Sequence, residues 1–303
     1  MTQALVNGLT LGAVYALVAL GYSMVYGILG MINFAHGEIY MLGAFHGILA
    51  LAFAQHYLAN FSPVVCLLGA LVLAMLFCGG YGFTLERIAY RPLRHAPVLS
   101  PLISAIGMSF LLQNYVMVAQ GSGIRGFPME FGRRLTETRF SAFAGAEFSL
   151  LEVFILATSL LCMAGLHLYI YRSKMGKAMR ATSQDRRMAS LLGVDVDRVI
   201  SATFIAGSAL AAVAGVMVSM YVHAVKFNDG YIMGMKAFTA AVLGGIGNIP
   251  GAMLGGVLLG VVENIGIWFL GAGYKDAYSF IVLLLVLIVL PRGILGEQVS
   301  DKV

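Results

Sequence analysis

Long apolar runs constrain the fold of this chain more than any other feature, because each can cross a bilayer as a helix. One run reads SLLEVFILATSLLCMAGLHLYIY and another VISATFIAGSALAAVAGVMVSMY. At ~1.5 Å per residue, either run spans the ~30 Å hydrocarbon core. Hydrophobic residues make up 60% of the chain and charged residues 11%, with a mean hydropathy of +0.88. These values predict an all-α, polytopic membrane protein that forms one transmembrane domain over residues 1–303.

The apolar runs predict eight or nine membrane segments. The runs cover residues 4–29, 38–54, 63–83, 98–119, 150–171, 199–222, 235–247, 252–270 and 277–290. The run 235–247 is too short to cross the hydrocarbon core alone, so we expect a re-entrant or half-helix there. The number of crossings therefore depends on this run.

A basic segment, residues 172–198, separates two of the long runs. Its basic residues, seven of the 19 in the chain, are Arg172, Lys174, Lys177, Arg180, Arg186, Arg187 and Arg198. Basic loops between spans stay in the cytoplasm, so we expect this segment and the loop with Arg87, Arg91 and Arg94 to be cytoplasmic. Residues 120–149 carry both signs of charge and are predicted to be external. The N-terminus is then external and the C-terminus cytoplasmic, which requires all nine segments to cross.

The basic segment also has a helical pattern. Gly176 and Gly193 bracket an apolar stripe formed by Ala181, Met188, Ala189, Leu191 and Leu192. Arg180 and Asp185 point away from that stripe. The pattern predicts an amphipathic helix that docks a soluble partner; the alternative is a loop that only sets the orientation of the chain.

Composition excludes some other functions. The isoelectric point of 9.1 is compatible with nucleic-acid binding, but the basic residues lie in loops between spans, where they set orientation. We therefore expect no nucleic-acid partner. The cysteines Cys66, Cys78 and Cys162 lie within apolar runs, which favours packing over a disulfide or metal site.

Two places interrupt the apolar pattern in a similar way. The first contains Asn33, His36 and Glu38. The second contains Gly244, Gly245, Gly247 and Asn248. Such interruptions form broken helices at the binding sites of many transporters. Two tight turns at the membrane faces are the alternative interpretation.

Glu38 and Glu263 are the carboxylates well inside the predicted spans. Exposing either to lipid would cost ~2.5 kcal/mol or more, so we expect both to face the bundle interior or an interface. Gln113 and Asn114 are further polar candidates for a transport pathway. The spacings match neither a metal site nor a phosphate-binding loop, so we predict no metal and no cofactor; if ATP drives this protein, another chain binds it.

Five segments, in order along nearly the whole chain, resemble the LivH-type permeases of bacterial branched-chain amino acid ABC importers. They are MVYGILGMINFAHGEIYMLGAF, ERIAYRPLR, LISAIGMSFLLQNYV, MGKAMRATSQDRRMASLLGV and MKAFTAAVLGGIGNIPGAMLGG. The resemblance implies an inner-membrane subunit with a sister permease, two cytoplasmic ATP-binding subunits and a periplasmic binding protein for leucine, isoleucine or valine. It also implies that the segment from Gly176 to Gly193 docks into an ATP-binding subunit.

Two other functions remain open at this point. A urea or short-amide importer of the same architecture shares the segment that resembles INFAHGE. An ion-coupled carrier or channel needs no ATP-binding subunit, but it would place more charged residues inside its spans.

Overall fold

The structure is a computed structural model that describes residues 1–57, 61–94, 96–97, 99–128, 135–141 and 147–296. Parts of the predicted external loop 120–149 and the last residues of the C-terminal tail lie outside these ranges. The described helices are α1 (Thr2–Leu29), α2 (His36–Tyr57), α3 (Pro63–Leu85), α4 (Leu99–Gln120), α5 (Leu150–Arg172), α6 (Lys174–Gln184), α7 (Arg186–Leu191), α8 (Val196–Val222), α9 (Asp229–Gly244), α10 (Ile249–Leu270) and α11 (Lys275–Val289). Short strands β1 (Arg125–Gly126), β2 (Arg139–Ser141), β3 (Glu147–Ser149) and β4 (Ala224–Val225) form two antiparallel pairs, β1 with β4 and β2 with β3.

Among the described residues, eight helical spans are long and apolar enough to cross a membrane, counting α3 with the turns after it (Pro63–Leu93) and α11 with the turn before it (Ala272–Val289), so the predicted all-α membrane fold is confirmed. The ninth predicted segment is α9, which has 16 residues and a length of ~24 Å. It begins at Asp229, so the predicted start at residue 235 is wrong. Lys236, which lies within the predicted run, is buried in an ion pair.

The described helices run between two ends of the bundle. At one end, Arg186 of α7 bonds to the carbonyl of Ile28, and Arg94 pairs with Asp197 at the start of α8. We call this end the basic face. At the other end, the opposite face, the Gln3 side chain bonds to the backbone of Glu147, and β1 pairs with β4.

Helix α9 reaches the basic face from inside the bundle, because Gly230 in its first turn packs against Gly37 and Glu38 at the start of α2. It follows β4 at the opposite face, and its last residues, Leu243 and Gly244, accept backbone hydrogen bonds from Ile294 and Leu295 after α11. Both α9 and α11 therefore end at the basic face. Eight helical spans among the described residues are long enough to cross a membrane, so the nine crossings that the predicted orientation of the termini requires stay a prediction.

Helices α1, α2 and α8 form the core, with 72% of each span buried, whereas α4 and α11 are 17% buried and lie at the periphery. Glycine allows the close approach of α1 to α10. A Cβ at Gly12 would lie 2.7 Å from the Val257 carbonyl oxygen, and one at Gly8 would lie 2.8 Å from the Cα of Val261. The small-residue repeats in these helices are therefore packing contacts between backbones.

The end of α3 widens into a π-helical turn, Glu86–Tyr90, followed by a 3-10 turn, Arg91–Leu93. Glu86, Ala89 and Tyr90 face the protein interior, while Arg87 and Ile88 are exposed. A π-helical turn is rare and is found often at functional sites, which makes this region a candidate part of the functional site.

The basic segment contains two helices, not the single one predicted. Helix α6 ends at Gln184, and Asp185 takes an extended conformation in which its carboxylate accepts the Met188 N–H and caps α7. Because Asp185 competes as a cap, the helix breaks in the middle of the predicted stripe.

Candidate functional site

The segment 30–35 is a non-helical break that returns into the helix bundle. Helix α1 ends with Gly30 in the left-handed conformation, φ 64°, where its N–H bonds to the Tyr26 carbonyl. Helix α2 then begins at His36, whose imidazole packs against Gly21, two turns back along α1. Asn33 and Ala35 are buried in between. Irregular backbone at this depth requires a protein or aqueous environment, and here protein surrounds it.

Asn33 is held by a hydrogen bond from another part of the chain. Its Oδ1 accepts the Tyr90 hydroxyl at 2.7 Å and the Ala35 N–H at 3.1 Å. Tyr90 belongs to the π-helical turn and packs its ring against Phe204, with 5.2 Å between ring centroids. The break and the end of α3 are therefore joined directly.

His36 and Glu38 are both about 1% exposed, so they face the protein and not lipid. His36 lies between Gly21 and Gly207, where a Cβ at Gly21 would overlap the imidazole. Glu38 accepts a hydrogen bond from Ser109 of α4 at 3.0 Å, and its other oxygen lies beside Gly230 in the first turn of α9. The partial positive charge at a helix N-terminus stabilises a carboxylate in this position.

Three polar atoms around the break have unused hydrogen-bonding capacity. Asn33 Nδ2, His36 Nε2 and Glu38 Oε2 are buried and have no hydrogen-bond partner in the described ranges. Leaving a buried polar group unpaired costs ~1–3 kcal/mol, so such groups are uncommon without a functional reason or a bound water. The break at Asn33 is therefore the polar centre of the bundle.

The second interruption is a tight turn between α9 and α10 at the basic face. Gly245 and Gly247 have φ angles of 104° and 92°, which favour glycine. Asn248 caps α10 through the Gly251 N–H at 3.0 Å, and its Nδ2 donates to the Leu295 carbonyl at 2.7 Å. The sequence left two interpretations open for this segment, a broken helix and a tight turn, and the segment is a tight turn. The two interruptions thus differ in structure despite their similar sequences.

A buried ionic cluster surrounds Glu263. Its carboxylate binds the Lys236 ammonium at 2.9 Å and accepts hydrogen bonds from the hydroxyls of Tyr15, at 3.1 and 3.2 Å, and Ser279, at 2.9 Å. Lys236 is also 2.8 Å from Asp276, whose side chain is 40% exposed. Four helices, α1, α9, α10 and α11, meet in this cluster, which sequence reasoning did not predict. The signal was available, because Lys236 is a cation near the start of an apolar run.

Gln113 and Asn114 do not join either polar cluster. Asn114 is exposed on α4 and donates to the Phe110 carbonyl of its own helix at 2.7 Å, and Gln113 is half-buried on the same helix. Self-pairing of this kind satisfies an amide on a peripheral helix. The structure therefore gives these two residues no common site with Asn33 or Glu263.

The side chains of the apolar stripe in the basic segment form two groups, one buried or half-buried and one exposed. Ala189 is 2% exposed and packs within the chain, and Ala181 is half-buried. Met188, Leu191 and Leu192 are 56%, 76% and 78% exposed. The expectation that Ala189 offers its side chain to a partner is therefore wrong, because α7 turns that face inward. The three exposed side chains form the apolar patch of the basic face.

The start of the basic segment is fixed to the end of α5. Gly176 lies so close to the carbonyl of Ile170 that a Cβ would overlap it, and Arg180 donates to the same carbonyl. The Ser173 hydroxyl accepts the Gly176 N–H at 2.8 Å and caps α6. The segment ends at Gly193 in a left-handed conformation, φ 84°. These contacts hold α6 against the membrane-spanning bundle.

Charged residues tie the end of α3 to α8, and α7 to α1, at the basic face. Arg94 pairs with both Glu86 and Asp197, and the Ser201 hydroxyl donates to Glu86 at 2.6 Å. Arg186 lies nearby and donates to the Ile28 carbonyl at 2.8 Å. Burial, and after it the charge of Arg94, lowers the pKa of the Arg186 guanidinium from its usual value. Helix α7 is therefore bonded to the end of α1, and the π-helical turn is linked through Arg94 to the start of α8.

These features define a class of protein: a polytopic membrane transporter subunit with a buried polar break and a structured basic segment at one face. Residues 4–290 match the family described as the permease component of branched-chain amino acid transport systems. The chain is 46% identical to the high-affinity branched-chain amino acid permease LivH of Escherichia coli K12, over 99% of this chain and 97% of the relative. It is also 46% identical, over the same shares, to the permease BraD of Pseudomonas aeruginosa. A probable LivH of Methanocaldococcus jannaschii is 27% identical over 92% of this chain and 88% of its own length.

This chain therefore belongs to the family of permease components of branched-chain amino acid transport systems. It is a multi-pass membrane protein and a transporter subunit, not an enzyme. The predicted family is confirmed, and a permease of this family works with ATP-hydrolysing and solute-binding components.

Proposed function

We propose that this chain forms a translocation pathway for leucine, isoleucine and valine across the bacterial inner membrane. The supporting observation is the 46% identity, over 99% of the chain, with permeases that are named for high-affinity branched-chain amino acid transport. The pathway is shared with a sister permease, two cytoplasmic ATP-binding subunits supply the energy, and a periplasmic binding protein delivers the solute. The basic face is cytoplasmic, which puts the N-terminus outside.

The break at Asn33 is the part of the pathway that contacts the passing solute. Its unpaired Asn33 Nδ2, His36 Nε2 and Glu38 Oε2 support this assignment, because they can exchange hydrogen bonds with a zwitterion without holding it tightly. A solute that is delivered by a binding protein needs a path of weak contacts, so that it is released on the other side. Asn248 affects the pathway indirectly, through the turn that fixes the positions of α9 and α10.

The test of function is uptake by proteoliposomes that contain the complete transporter, binding protein and internal ATP. Labelled leucine should accumulate, and labelled urea, the competing substrate, should not. The control omits ATP. Leucine uptake that is equal with and without ATP would support a carrier or channel instead, and uptake of urea alone would support the short-amide importer.

The orientation is tested separately with an impermeant thiol reagent on intact cells. Gly123→Cys, exposed at the opposite face, should be labelled, and Ser183→Cys, exposed on α6, should be labelled only after permeabilisation. The parent chain with its native cysteines is the control. Labelling of Ser183→Cys in intact cells would reverse the proposed orientation.

The apolar patch on α7 docks an ATP-binding subunit. Because Met188, Leu191 and Leu192 are exposed at a face that water reaches, burial against a partner would remove apolar area from water. Leu191→Ser with Leu192→Ser should abolish co-purification of the ATP-binding subunits. Ser190→Ala, on the same helix, is the matched control and should leave co-purification unchanged. Normal co-purification with the double variant would remove the patch from the interface.

A further inference from the structure

The break at Asn33 is attached to the basic face through two side chains, one that bonds just before the break and one that bonds within it. Just before the break, the Ile28 carbonyl accepts a hydrogen bond from Arg186 Nε at 2.8 Å. Within the break, Asn33 Oδ1 accepts the Tyr90 hydroxyl at 2.7 Å. Arg186 is the first residue of α7, the helix that carries the exposed apolar patch. Tyr90 is the last residue of the π-helical turn after α3.

Both donors lie far from their acceptors in the sequence, and each bonds to one particular acceptor atom. Arg186 reaches a backbone carbonyl at the C-terminal end of α1, where the last carbonyls of a helix have no partner within the helix. A charged donor to such a carbonyl forms a hydrogen bond of the stronger kind. The hydroxyl of Tyr90 is the part that matters for Asn33, since the ring is already packed against Phe204.

The π-helical turn that ends at Tyr90 is also tied by ion pairs to α8, the helix that follows α7 in the chain. Arg94 pairs with Glu86 in the π-helical turn and with Asp197 at the start of α8. A displacement of α7 therefore moves Arg186 directly, and it moves Tyr90 through the short chain from α7 into α8 and the ion pairs of Arg94. Packed interfaces of this kind shift between discrete arrangements and do not deform continuously.

We propose that Arg186 and Tyr90 are positioning residues that transmit the movement of α7 to the break at Asn33. This inference rests on the proposed function, because it assumes that an ATP-binding subunit moves α7 and that the break contacts the solute. It adds the two specific hydrogen bonds that link these sites. Loss of either bond leaves the docking patch and the polar centre in place, but the break no longer follows α7.

The test compares uptake with ATP hydrolysis in proteoliposomes that contain the complete transporter. Tyr90→Phe removes only the hydroxyl, and Arg186→Gln removes the guanidinium but retains a polar side chain. Each should lower the number of leucine molecules transported per ATP hydrolysed by about fivefold or more, with hydrolysis near the wild-type rate. A factor of five corresponds to roughly 1 kcal/mol, the usual contribution of one hydrogen bond. Both donors act on one segment. The fold-decrease in leucine transported per ATP should therefore be smaller in the double variant than the product of the two single fold-decreases.

Two matched controls separate coupling from general damage. Tyr278→Phe removes a hydroxyl that donates to Gly271 at the opposite face, and Arg198→Gln removes an arginine that pairs with Asp195 at the basic face. Both should keep the wild-type ratio of transport to hydrolysis. Arg186→Lys, which keeps a cationic donor, should restore part of the ratio.

The inference would be overturned if Tyr90→Phe and Arg186→Gln transport leucine with the wild-type ratio. It would also be overturned if transport, hydrolysis and membrane level fall in parallel, because the side chains would then be structural only. Failure of the proposed function has a different signature. In that case the wild-type transporter itself shows no ATP-dependent leucine uptake.

Discussion

Replacement of Lys236 by methionine is the most direct test of the buried ionic cluster. Methionine fills a similar volume, but Glu263 and Asp276 lose the cation at 2.9 and 2.8 Å. The side chains of Lys236 and Glu263 are 5% and 2% exposed, so water cannot replace the lost partner. Breaking a buried pair costs ~3–5 kcal/mol. The hydroxyls of Tyr15 and Ser279 still donate to Glu263, which places the expected loss near ~3 kcal/mol.

The assay is thermal unfolding of the purified protein in lipid nanodiscs. Unfolding is monitored as the loss of the monodisperse fraction of the protein. For a chain of this size a loss of ~3 kcal/mol lowers the Tm by roughly 6–12 °C. Lys177→Met, which removes an exposed lysine from α6, is the control and should change the Tm by about 2 °C or less, as surface substitutions do. The expected loss depends on burial alone, so it does not require the partner subunits.

A double-mutant cycle distinguishes the lost ion pair from poor packing of the new side chain. Glu263→Gln should cost less than Lys236→Met, because Lys236 keeps Asp276 as a partner. The double variant should be more stable than the sum of the two single losses predicts, by ~0.5–3 kcal/mol, since no charge of the pair is then left alone. Strictly additive losses, or a Lys236→Met protein as stable as the parent, would refute the assignment of this cluster as a stabilising ion pair.

Three further predictions follow from the packing, capping and polar contacts. Gly12→Val would place its Cβ 2.7 Å from the Val257 carbonyl oxygen and should destabilise the protein by ~1–3 kcal/mol in the same unfolding assay. Gly107→Ala, where the new methyl group meets open space on α4, is the control and should leave the stability unchanged. Asp185→Ala removes the cap of α7 and should cost ~1 kcal/mol, measured as faster hydrogen exchange confined to that helix. Asn33→Leu removes the acceptor of two hydrogen bonds and should lower leucine uptake while the partner subunits still co-purify; wild-type uptake would exclude the break from the pathway.

Local sequence determined most of the membrane-spanning helices. A run of about twenty apolar residues can satisfy its backbone in lipid only as a helix, so the position of each long span follows from composition. For this reason the predicted span 63–83 agrees closely with α3, Pro63–Leu85. The same argument placed the start of α9 too late, because Asp229, Gly230 and Gly234 interrupt the apolar pattern of its first turns.

Motifs in the sequence also determined the family, because the similarity extends over nearly the whole chain. They located the residues of the polar break, Asn33, His36 and Glu38, but they did not distinguish this break from the segment at Asn248. Both are rich in glycine and asparagine. One is a buried re-entrant segment and the other a capped turn, and the difference lies in what packs around each of them.

The tertiary structure alone decided which side chains face a partner and which contacts join distant segments. Helical periodicity placed Ala189 and Leu192 on one stripe, but the break at Asp185 turns Ala189 inward and leaves Leu192 in solvent. The bonds from Tyr90 to Asn33 and from Arg186 to Ile28 join residues 57 and 158 positions apart. A single sequence encodes helical propensity and hydrophobic pattern through near neighbours, whereas such contacts exist only after the helices have packed.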